Sequence, residues 1–194
     1  MNGKIQALLD KIQELESGAE SEFEEQRRRF HYTIEKKRVK FEAAVLRRHH
    51  ELRTGILRFI HDSGIVNVLF SPVIYIQIIP LVLLDIAVSL FQALTFPVYG
   101  IPKVPRGDFI VLDRHNLSYL NGIERLNCVF CGYANGLLAY SREIAGRAEE
   151  YWCPIKHARR TKGLHRRYYN FAEFGDAEGY RKIKNHQQHP STKI

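Results

Sequence analysis

Residues 64–102 run for 39 residues with a single charge, Asp85, between flanks dense in Arg and Lys. Nothing else in the chain constrains it as much, because about 20 apolar residues already cross a bilayer core. The expected setting is a membrane. One straight helix of this stretch would be about 58 Å long, against a hydrocarbon layer of about 30 Å. Pro72, Pro80 and Pro97 punctuate it, and Pro80 is expected to kink or break the helix. Two arrangements follow: a single kinked span from about Ile74 to Phe96, or a helical hairpin bending between Ile79 and Asp85. Arg53 and Arg58 lie before the stretch and Lys103, Arg106 and Arg114 after it. Two basic flanks favour both ends on the cytoplasmic face. A third arrangement is an apolar core covered by a larger assembly.

On a helical wheel Gln77, Asp85, Ser89 and Gln92 fall within about 120° of one another. Intramembrane carboxylates are functional candidates, so this polar seam could line a pore or a proton path. One carboxylate does not make a pathway. The favoured reading is a helix–helix contact, between subunits, with Asp85 paired or neutral.

The charge is segregated. Residues 1–63, 64–102 and 103–194 carry +2, −1 and +7, which together give the formal +8. Such a balance suits anionic lipid headgroups, with nucleic acid the less favoured partner. Residues 4–60 lack proline and are rich in helix formers, so they read as one long helix or two. Ile5, Leu8, Ile12, Leu15 and Ala19 form a heptad-like seam that resumes out of phase at Phe23, Phe30, Ile34, Phe41 and Val45. That pattern predicts a coiled-coil-like arm that pairs with a second copy of the chain. Its later half holds the basic runs Arg27–Arg29, Lys36–Arg38 and Arg47–Arg48. No early apolar segment resembles a secretory signal.

After Pro102 the composition changes. Phe109–Leu112 reads as a short buried strand, and residues 136–150 as a helix. All three cysteines lie here, in the spacing Cys128-x2-Cys131-x21-Cys153-x3-His157. Two thiolates three apart on a tight turn, closed by Gly132, can share a tetrahedral ion. A Cys and a His four apart can complete it, and Cys3His is a closed structural zinc set. Iron is the alternative metal, and His115 an alternative ligand. Zinc on Cys128, Cys131, Cys153 and His157 is therefore expected to staple a small α+β domain. Arg159, Arg160, Arg166 and Arg167, with Arg53 and Arg58, are the expected contacts to anionic lipid. The tail from Lys182 is polar and expected to be mobile.

The expected fold is mainly α. A helical arm covers 1–63, a membrane segment 64–102, and a cytoplasmic α+β domain with a zinc-finger-like site 103–181, followed by the tail 182–194. The expected role is a membrane-embedded, self-associating scaffold. Alternatives are a membrane-bound redox or metal-handling protein with thiolate-bound iron, and a channel or transporter subunit using Asp85. No set of acid/base residues has a spacing that fixes a catalytic geometry, so an enzyme is the less favoured class.

Overall fold

The computed structural model describes residues 3–30, 32–35, 38–41, 43–159 and 161–188. Lys36 and Lys37 of the basic run, Arg160, and the tail from His189 lie outside the described residues. The element order is α1 (Gly3–Arg29), β1 (Tyr32–Glu35), β2 (Arg38–Phe41), α2 (Ala43–Glu51), α3 (Ile56–Ser63), α4 (Ile65–Tyr75), α5 (Ile78–Val98), α6 (Gly122–Trp152) and α7 (Ala177–Gln188). The chain divides into two compact units. One takes the residues up to Ile74 with Leu112–Cys131; the other takes Tyr75–Val111 with the chain from Gly132 onward.

In the first unit the expected helix over 4–60 is interrupted. β1 and β2 pair antiparallel, with Tyr32 opposite Phe41 and Glu35 opposite Arg38. Tyr32, Thr33, Val39 and Phe41 are β-branched or aromatic residues that favour a pleated strand. The Tyr32 and Phe41 rings lie 5.6 Å apart, Phe41 and His49 5.2 Å, and His49 and Tyr119 5.0 Å. This aromatic ladder ties the hairpin to α2 and to the segment before α6. A capping box starts α6: the Asn121 side chain accepts from the Ile123 and Glu124 amides, and Glu124 accepts from the Asn121 amide. None of the described residues of α2, α3 or α4 is buried.

The second unit holds the core: Phe96, Val104, Leu137, Tyr140 and Ile144, all at most 3 % exposed. Its frame is α5 beside the later part of α6. Asp85 meets Tyr133 and Gln92 meets Tyr140, each pair 48 residues apart in sequence. Two contacts with the same offset mean that the helices run side by side in the same direction. A parallel pair needs a returning connection, and the end of α5 starts it. Gly100 sits at φ +66°, and the Ile101 amide donates back to the Phe96 carbonyl at 2.9 Å. This is the left-handed helix stop that glycine permits. Gly136 allows the returning loop to touch α6. A Cβ there would lie 2.6 Å from the Phe109 carbonyl oxygen.

Pro80 acts as expected at the start of α5. Having no N–H, it leaves the Ile76 carbonyl to accept from Ile79 at 3.1 Å instead. The hairpin expected between Ile79 and Asp85 does not form, because Ile78–Val98 is one helix of 21 residues.

The expected α+β domain with a zinc site is corrected. Among the described residues the C-terminal part has no strand, only an isolated bridge between Ile155 and Ala172. Phe109–Leu112 is loop, held by its neighbours' bonds to α5. The turn expected at Cys131–Gly132 is the interior of α6, a helix of 31 residues. As far as it is described, the tail from Lys182 is the later part of α7, where Lys184 Nζ donates to the Tyr151 carbonyl and Gln187 Nε2 to the Glu150 carbonyl, both at 2.7 Å. These donors satisfy carbonyls that the end of α6 leaves unpaired.

Candidate functional site

The inner side of α5 carries the polar residues singled out in the sequence. Asp85 accepts from Arg106 Nη2 at 2.6 Å and Nε at 3.2 Å, from the Tyr133 hydroxyl at 3.0 Å and from Ser89 Oγ at 3.3 Å. Four donors from its own chain occupy the carboxylate, and the paired fork of Arg106 is the strong geometry for such a contact. The anionic partner holds the Arg106 guanidinium above its ordinary pKa.

Two turns on, the buried Gln92 amide treats Val104 as a neighbouring strand would. Its oxygen accepts from the Val104 amide at 2.6 Å, and its nitrogen donates to the Val104 carbonyl at 3.3 Å and to the Tyr140 hydroxyl at 2.6 Å. Asp85, Ser89 and Gln92 thus form one seam, but it closes on the returning loop and on α6 of the same chain. Gln77 does not join it. That residue precedes α5, is exposed and makes no capping hydrogen bond.

The outer side of α5 is the opposite surface. Ile79, Leu83, Ile86, Leu90, Leu94 and Val98 are each more than half exposed, and they recur every three or four residues along the whole helix. Every polar side chain of α5 (Asp85, Ser89, Gln92 and Thr95) is at least partly buried. The run Ile65–Val98 is the one candidate among the described residues long and apolar enough to cross a membrane.

A second charged cluster, which sequence reasoning missed, closes the far end of the unit. Glu143 accepts from Arg147 at 2.8 Å and Arg167 at 3.1 Å, and Arg167 also reaches Glu150 at 2.9 Å. His165 meets Glu149 at 2.8 Å, its ring lodged where Gly146 leaves room. The available signal was the 143/147 spacing of Glu and Arg, an i,i+4 pair. Arg167, expected on lipid, is committed here. Burial pushes the Glu143 carboxyl up, but the hydrogen bonds from Arg147 and Arg167 outweigh it and leave the pKa below its ordinary 4.5. A depressed carboxyl stabilises the fold above its unfolded pKa, and the contribution is lost as pH falls through the folded value. Lowering the pH from about 6 to about 3.5 should therefore lower the melting temperature of the full chain, and Glu143→Gln should flatten that dependence. An equally steep profile in the variant would remove Glu143 from the account.

The other expected lipid contacts divide. Arg53 and Arg159 are exposed, Arg166 is exposed at the start of a 3-10 turn, and Arg58 pairs with Asp62 at 3.5 Å. Cys128, Cys131, Cys153 and His157 are not brought together. Cys128 and Cys131 sit inside α6, and Cys153 lies just past its end. Cys128, Cys131 and Cys153 form no disulfide. Among the described residues no three His, Cys, Asp or Glu side chains converge as ion ligands. His157 is exposed, with its ring stacked 6.0 Å from Tyr168. His115 lies in the 3-10 turn Arg114–Asn116, and its Nδ1 is buried with no hydrogen bond among the described residues.

No family model, curated protein or solved structure matches this chain. Its function has to be read from the two faces of α5.

Proposed function

We propose that this chain is a membrane-embedded, self-associating structural protein. The observation that carries the proposal is the outer face of α5, apolar along its whole length and uncovered, while the polar residues of the same helix turn inward. Water does not tolerate so large a continuous apolar surface on a lone soluble chain. The first unit adds to it: Ile65, Val66, Leu69, Phe70 and Val73 of α4 are all exposed. The basic residues on either flank of the apolar run support a cytoplasmic reading for both flanks.

Self-association rests on α1. Leu8, Ile12 and Leu15 are exposed along one heptad-spaced stripe, and such a stripe is stable on a long helix when a partner helix covers it. A second copy is the partner whose own stripe matches it. The test is flotation of the full chain with vesicles of phosphatidylcholine and phosphatidylglycerol, joined to chemical crosslinking. The chain should float, and crosslinked oligomers should form. Leu8→Glu with Leu15→Glu should abolish the oligomers and leave flotation intact, since each buried Leu contributes about 1.5–3 kcal/mol to an interface. A chain that stays with the soluble fraction would remove the membrane reading. Oligomers that survive the double variant would remove α1 as their seam.

A further inference from the structure

Resting on the membrane reading, we infer that α5 lies in the plane of a single leaflet and does not stand across the bilayer. Its 21 residues make a rod of about 31 Å, which would fill a hydrocarbon layer of about 30 Å if upright. Everything packed alongside it would then share that depth. Arg106 contacts Asp85 near the first third of the rod, and Val104 contacts Gln92 near the second third. The returning loop that makes these contacts exposes Lys103 and Asp108 and leaves the Arg106 side chain 48 % exposed. An upright α5 would set these exposed charges at hydrocarbon depth, an arrangement that membranes penalise heavily.

Laid flat, the same unit has no such conflict. The stripe Ile79, Leu83, Ile86, Leu90, Leu94 and Val98 faces the acyl chains along its entire length. The Asp85–Arg106 clasp and the returning loop lie on the water side. Interfacial helices sit in this way, with one face sunk below the headgroups. The occupant of the stripe is anionic lipid and not another copy of the chain. The stripe has no polar residue to fix a register between copies, whereas the formal charge of +8 is complementary to an anionic surface.

The experiment places a single tryptophan along the stripe. In a Trp152→Phe background, Ile79→Trp, Leu90→Trp and Val98→Trp each change an exposed apolar position, so the fold is retained. The full chain is bound to phosphatidylcholine–phosphatidylglycerol vesicles containing lipids brominated either near the headgroup or near the chain end. A helix in the plane gives the same quenching pattern at all three positions, strongest with the shallow bromines. Deepest quenching at Leu90→Trp, with shallow quenching at the other two, would overturn the in-plane placement and leave the membrane reading standing. Failure of all variants and of the unmodified chain to float would overturn both.

Discussion

Leu83→Glu combined with Leu90→Glu should release the chain from membranes. Both side chains point away from the core, 63 % and 56 % exposed, so neither supports the fold. Each contributes only to whatever covers the outer stripe. Withdrawing a leucine from an apolar medium forfeits about 1.5–3 kcal/mol, so the pair forfeits about 3–6 kcal/mol, or roughly a hundred- to ten-thousand-fold in partitioning. Flotation should fall to background while the thermal melt in water stays within a few degrees of the parent. Undiminished flotation would mean that α5 is not the membrane-binding element.

Phe96→Ala should have the opposite profile: it should unfold the second unit. Phe96 is fully buried against Leu137, Tyr140 and Ile144, and removing such a ring costs about 3–5 kcal/mol through lost burial and the cavity left behind. Gly136→Ala should act in the same direction by about 1–3 kcal/mol, because its new Cβ would press on the Phe109 carbonyl and on Ile110 Cα at 2.9 Å. Leu94→Ala, two residues from Phe96 on the outer side, should change stability by no more than about 0.5 kcal/mol. The fluorescence of Trp152, whose ring lies 4.8 Å from Tyr99, reports the melt of this unit. Equal losses for Leu94→Ala and Phe96→Ala would show that the two sides of α5 are not distinguished by burial.

The sequence allowed the sidedness of α5 to be read in advance, because spacing on a helix fixes which residues share a face. Asp85, Ser89 and Gln92 do converge. What it did not disclose is their partner. Arg106 is separated from Asp85 by a returning loop, and Tyr133 and Tyr140 by most of the chain between the helices, and no local pattern announces such pairings. Gly132 was read as a turn because glycine after a Cys pair permits one, yet it is a buried helix position. The signal against the turn was present: Asn121 three residues before Glu124 is a helix start, and no proline follows until Pro154. A helix entering at Asn121 has no reason to stop at Cys131. Once it continues, the metal set is separated by its own backbone. The hairpin of β1 and β2 was hidden for another reason. Ile34 and Phe41 belong to the heptad-like spacing and also fall within short runs of strand formers, and short apolar runs do not choose between the two.

The parallel pairing of α5 and α6 also sets a timetable for synthesis. Gln92 has to wait 48 residues for Tyr140, which at ribosomal speeds of about 5–20 residues per second is about 2–10 s. Until Tyr140 is added, the Gln92 amide lacks that partner and the face of α5 that α6 covers is bare. If the proposed membrane function holds, a lipid surface shelters the nascent helix during translation, and delivery precedes tertiary closure.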